Sequence, residues 1–169
     1  MTAPDVARLG AAAGPRAGSV RALFARYGLE VVHLPPDADL PGSYWGDAEA
    51  GLRGDRLYVR DDTPLHSLLH EGCHYVCMDD ARRAALDTDA GGDFIEECGV
   101  CYLGVLLAPE ITDYDAAGML ADMDAWGYTF RLGSARAWFE EDAADARAWL
   151  ATQGLLDDRG RIRYECRHC

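Results

Sequence analysis

Apolar residues recur every three or four positions through most of this chain, and short β-branched runs appear only in its first third. Val20, Leu23, Phe24 and Tyr27 share a helical spacing, and Gly28 supplies a stop, so a helix is predicted over Ser19–Tyr27. Glu30–Leu34 is a short apolar run closed by Pro35 and Pro36 and reads as a strand. Ser43–Trp45 and Leu57–Arg60 read as two more strands, with the Gly-rich segment Gly46–Gly54 between them.

Helical spacing then takes over. Asp62, Thr63 and Pro64 make a helix start, a capping side chain followed by Pro at the first helical position. Leu65, Leu68, Leu69, Cys73, Val76 and Cys77 form the buried stripe of that helix. Asp79, Asp80 and the polar stretch Asp87–Gly92 mark the connection out. Asp93 opens a second long helix, to about Ala108, that is apolar almost all round after Glu97 and is expected at the centre of the fold. Further helices are predicted over Tyr114–Trp126 and Ser134–Gln153, the latter with Trp138, Phe139, Trp149 and Leu150 facing inward. The pattern gives an α+β fold. A short antiparallel sheet on the N-terminal side packs on the helix that begins at Pro64, and a mostly helical part follows. Residues 1–18, rich in Ala, Gly and Pro, are expected to be disordered; residues 19–156 form one domain, and residues 157–169 a polar tail containing Cys and His.

Composition narrows the possible partners. The chain has 169 residues, enough for one domain with a real core, and 49% hydrophobic and 27% charged residues are ordinary for a globule. No apolar run reaches membrane-spanning length, and no signal-peptide layout is present, so a cytoplasmic protein with no membrane contact is expected. The 6 cysteines are then thiols in a reducing compartment. With 29 acidic against 16 basic residues the net charge is −13, which repels a polyanion and excludes nucleic acid as the expected partner.

On the first long helix stands His70-Glu71-Gly72-Cys73-His74, an H-E-x-x-H sequence. Residues i and i+4 of a helix share a face, so the two imidazoles are placed to hold one metal ion, and Glu71 is placed to act as general base on a water there. Zinc suits imidazole with carboxylate, and a catalytic site needs a third protein ligand and an open fourth position. Glu96 and Glu97 are the candidates, because they are the acids at the start of the next buried helix. A carboxylate on an apolar helix requires a metal or a cation nearby.

Residues Gly54–Pro109 resemble the ImmA/IrrE family of zinc metallopeptidases, and more broadly the gluzincins. That family has a strand, a short polar link and a helix with the pentapeptide, matched here by Gly54–Val59 and Thr63–His74. In the family's second helix a ligand Glu is followed by a small residue, an aromatic, two Leu and a Pro at fixed offsets. Counting from Glu96 gives Gly99, Tyr102, Leu106, Leu107 and Pro109. The resemblance therefore implies a zincin-like domain with His70, His74 and Glu96 as zinc ligands, Glu97 as the alternate, and peptide or protein as substrate. The chain departs from the pattern at Cys73, where the family often has Gly. It departs again at Val100, where the family often has an outer-shell Asn or Asp four residues after the ligand. A metzincin arrangement is excluded, since Cys77 stands where that class needs Gly.

Tyr128 and Arg131 are candidates for stabilising a transition state; the plainer reading packs Tyr128 in the core and pairs Arg131 with a surface acid. Cys73, Cys77, Cys98 and Cys101 read as small apolar side chains; His33 and His66 have no partner in sequence, and His66, one turn before His70, reads as exposed, with the rim of the site as the alternative. Cys166, His168 and Cys169 are either a disordered end or a metal or redox element. Tyr44 and Trp45 are core candidates that alternatively edge a peptide cleft. The leading expectation is a narrow-specificity zinc peptidase. The alternatives are a non-catalytic metal-binding or sensor protein and a toxin-like protein docking a basic partner.

Overall fold

The structure, a computed structural model, describes residues 4–42, 48–86 and 91–168. In chain order its elements are α1 (Pro15–Ala25), β1 (Glu30–His33), β2 (Gly51–Arg53), β3 (Arg56–Val59), α2 (Leu65–Cys77), α3 (Asp80–Ala85), α4 (Phe94–Leu107), a 3-10 turn at Ala108–Glu110, α5 (Ala116–Trp126), α6 (Ala135–Glu141) and α7 (Ala144–Thr152). The α+β class follows directly: seven helices and one three-stranded sheet among the described residues.

The sheet has the order β1-β3-β2 and is mixed, where an antiparallel one was expected. β1 runs parallel to β3, from Glu30 beside Arg56 to His33 beside Val59. The intervening chain carries β2, which forms a hairpin with β3 and leaves β1 parallel to β3. Gly54, at φ +60°, makes that hairpin turn at no steric cost. β2 lies in the segment read as a Gly-rich link. The expected strand Ser43–Trp45 lies outside the described residues.

Leu52, Leu57 and Val59 are buried beneath α2, whose own stripe of Leu65, Leu68, Leu69, Cys73, Val76 and Cys77 is fully buried. α2 packs along α4, and α4 is covered on its other side by α7. Small residues set these approaches. A Cβ on Gly72 of α2 would lie 2.3 Å from the ring of Phe24 in α1, and one on Gly99 of α4 would lie 2.7 Å from Trp149 in α7.

Residues 4–14, expected to be disordered, pack on the body of the fold. Val6 and Leu9 are buried, Leu9 N–H donates to the Thr63 carbonyl at 2.9 Å, and Leu65 N–H donates to the Ala7 carbonyl at 2.9 Å. The last bond satisfies an amide at the start of α2 that helical bonding cannot reach. It stands in for the side-chain cap expected from Asp62 and Thr63: Pro64 is the N-cap residue and makes no side-chain bond. α4 begins as expected, with Asp93 accepting from Glu96 N–H at 2.9 Å. The single helix expected over Ser134–Gln153 is two, broken where Asp142 and Ala143 leave helical dihedrals. α3 occupies part of the expected connection and is capped by Asp79.

The tail folds back rather than hanging free. Leu155 and Leu156 are buried, Leu156 bridges to Ile162, and Arg167 N–H donates to the Val76 carbonyl at the end of α2. Among the described residues no helix is long and apolar enough to cross a membrane.

Candidate metal centre

α2 delivers both histidines of the pentapeptide from one face, with ring centroids 4.7 Å apart and Nε2 atoms 3.1 Å apart. The third group is the carboxylate of Glu97, one turn into α4. Its Oε1 is 2.8 Å from His70 Nε2 and its Oε2 is 3.3 Å from His74 Nε2. Among the described residues these three are the one group of His, Cys, Asp or Glu whose donor atoms converge closely enough to hold a metal ion.

The spacing fits zinc. Tetrahedral bonds of about 2.0–2.1 Å set ligand atoms about 3.3–3.4 Å apart, and two imidazole nitrogens with a carboxylate are an ordinary zinc donor set. The observed separations of 2.8, 3.1 and 3.3 Å are at that value or up to about 0.6 Å inside it, so an ion fits once the side chains move slightly apart. Burial works against charge on His70, but bonds to Cys101 and Glu97 outweigh it and push its pKa up to about 9. His74 is likewise raised: burial opposes its charge, and Glu97 more than restores it. Glu97 is buried enough to disfavour its charge, yet the two imidazoles hold it well below the usual carboxylate range. The two imidazoles and Glu97 thus favour one another's charged forms, so the cluster tolerates added positive charge.

Glu96, the ligand favoured by the sequence pattern, faces away from the imidazoles. Its side chain is buried and accepts from Arg82 Nη1 and Nη2 at 2.7 and 2.8 Å and from Arg167 Nη1 at 2.9 Å. Successive residues of a helix point about 100° apart, so only one of two neighbouring glutamates can reach α2. The buried acid did require a cation. Arginines from α3 and the tail supply it, and their distance in sequence hid the pairing.

Glu71 lines a cleft of about 1090 Å³ together with His70, Glu97, His66 and Tyr128. Burial raises the Glu71 carboxyl above its ordinary range. His66, expected to be exposed, is 1% exposed. Its Nδ1 lies 3.3 Å from the Tyr128 hydroxyl, while its Nε2 is buried with no hydrogen-bond partner. Burial, then the charges of His70 and Arg8, lower its pKa to about 4. Tyr128 packs edge-on against His70, with centroids 6.0 Å apart, so it stands at the centre as well as in the core. Burial raises its phenol well above the ordinary value and keeps the proton on it. Arg131 is turned outward: its side chain is 78% exposed, and its guanidinium is held by Asp142.

The outer shell was missed at the sequence level. Cys101 Sγ is 3.9 Å from His70 Nδ1, so this thiol is more than packing. Its helical phase, four residues after Glu97 and on the same face, was the available signal. His74 Nδ1 is buried without a partner. Cys73 and Cys77 are buried free thiols, as packing requires. In the tail, Cys166 donates to the Tyr27 carbonyl at 3.4 Å and His168 lies 3.7 Å from Asp80; Cys169 lies outside the described residues.

No protein-family model, no curated protein and no solved structure matches the chain. The class of this site therefore rests on its own geometry.

Proposed function

We propose that this chain is a small zincin-like metallopeptidase in which His70, His74 and Glu97 hold zinc and Glu71 is the general base. The observation that carries the reading is the convergence of two imidazole nitrogens and one carboxylate beside a second, cleft-lining carboxylate. Zinc bound there would supply a Lewis acid and bring the pKa of a water down to about 7.

The residues divide the remaining work. Glu71, with its proton affinity raised by burial, accepts the proton of the attacking water and returns it to the leaving amine. Tyr128, protonated and held by His66, is the donor available to charge developing on the substrate carbonyl oxygen. Arg131 has no part in this, being committed to Asp142. Cys101, four residues after Glu97, contacts His70 Nδ1 and helps to orient that imidazole. A closed, purely sensory metal site needs a fourth protein donor, whereas three converge among the described residues.

The test is Glu71→Gln in the zinc-loaded protein, assayed on a mixed peptide library. Retained zinc with peptide hydrolysis lost supports the mechanism. Hydrolysis at the wild-type rate removes Glu71 as the base.

A further inference from the structure

The cleft beside the metal centre is large, and its lining is unevenly charged. Five carboxylates reach it (Glu49, Glu71, Glu97, Asp142 and Asp145) against the single guanidinium of Arg131. Arg131 is spent on Asp142, and a zinc ion would offset Glu71 and Glu97. Glu49 and Asp145 remain. Glu49 uses Oε1 to accept from Trp126 Nε1 at 3.0 Å, which fixes its carboxylate at the cleft wall without neutralising it. Asp145 lies in the first turn of α7. A concave wall concentrates the field of such charges, and a net charge of −13 on the whole chain reinforces it.

A further feature points to a ligand. Phe94, in the cleft lining, is 84% exposed, the most exposed large apolar side chain among the described residues, and Ile95, Phe130 and Trp138 continue the apolar lining.

From these features we infer that the cleft receives an extended peptide segment carrying Lys or Arg beside a bulky apolar residue. The apolar side chain lies along Phe94, Ile95 and Phe130, and the cationic one is drawn to Glu49 and Asp145. This inference deepens the peptidase reading and rests on it for turnover, but not for binding.

The experiment uses the full zinc-loaded chain and matched fluorogenic decapeptides whose central pair is Lys-Phe, Glu-Phe or Lys-Ser. Cleavage is measured with wild type, and binding with Glu71→Gln by fluorescence anisotropy. The expected result is a kcat/KM at least tenfold higher for Lys-Phe than for either other peptide in low salt. That ratio should shrink as salt rises and fall in Asp145→Asn and in Glu49→Gln. Cleavage without regard to charge, or unchanged ratios in both variants, overturns the inference and leaves the peptidase reading standing. Salt-sensitive, Lys-Phe-selective binding without any cleavage by wild type does the reverse. Neither binding nor cleavage overturns both.

Discussion

Replacing Glu96 by alanine removes the acceptor shared by Arg82 and Arg167, while replacing Glu97 by glutamine touches only the imidazole pair. Two neighbouring residues should thus fail in different ways. The Glu96 side chain is 4% exposed and takes three charge-assisted bonds of 2.7, 2.8 and 2.9 Å. Breaking a buried pair by removing one partner costs about 3–5 kcal/mol. Arg82 is 35% exposed and partly resolvated by water, so the lower figure of about 3 kcal/mol applies. For a domain of this size each kcal/mol moves Tm by about 2–4 °C, giving a fall of roughly 6–12 °C for Glu96→Ala. Zinc affinity should change little, because no Glu96 atom faces the imidazoles. Glu97→Gln should do the opposite. Losing an outer-shell partner typically costs 10–100-fold in metal affinity, so loss of this direct ligand should cost at least about 100-fold, with little change in metal-free Tm. Thermal melts in chelator and competitive zinc titrations read the two quantities separately. A Glu96→Ala protein that loses zinc at unchanged Tm, beside a Glu97→Gln protein that keeps it, would refute the assignment.

Other outcomes follow from single contacts. His66 has a pKa of about 4 in the fold against about 6.5 unfolded, so below pH 6.5 the unfolded chain binds a proton that the fold refuses. The resulting penalty is absent above pH 6.5 and reaches about 3 kcal/mol by pH 4. In urea unfolding of metal-free protein, His66→Gln should therefore lose about 3 kcal/mol less than wild type between pH 7 and pH 4; equal losses contradict a buried neutral imidazole. Gly72→Ala would set a methyl 2.3 Å from the buried Phe24 ring. It should destabilise by about 1–3 kcal/mol, and combining it with Phe24→Leu should recover part of that cost. Tyr128→Phe removes the donor but keeps the ring, so kcat should fall with KM and zinc content little changed. A rise in KM alone would make Tyr128 a binding group instead.

What could be read from the chain in advance was whatever depends on local spacing. The stripe from Leu65 to Cys77 and the cap at Asp93 fixed α2 and α4, and with them the positions of His70, Glu71 and His74. What could not be read depends on contacts distant in sequence. The choice between Glu96 and Glu97 turned on Arg82 and Arg167, 14 and 71 residues from Glu96. Fixed offsets from a family pattern favoured Glu96, which faces the arginines, while the same-face partner Cys101 points to Glu97, which faces the imidazoles. The parallel pairing of β1 with β3 is set by β2, whose Gly-rich sequence gives little strand signal. Val6 and Leu9, lying among Ala, Gly and Pro, are too sparse to show periodicity, yet both are buried. His66 looked unpartnered in sequence because its partner, Tyr128, lies 62 residues away.

X-ray absorption on zinc-loaded protein tests the centre of this account most directly. The account predicts one zinc per chain, bound by two imidazole nitrogens at about 2.0–2.1 Å and light oxygen donors at about 2.0–2.2 Å, with one position held by solvent. It also predicts that one oxygen contribution disappears or weakens in Glu97→Gln and none in Glu96→Ala. No zinc uptake in excess metal, or a sulfur shell at about 2.3 Å, would contradict it.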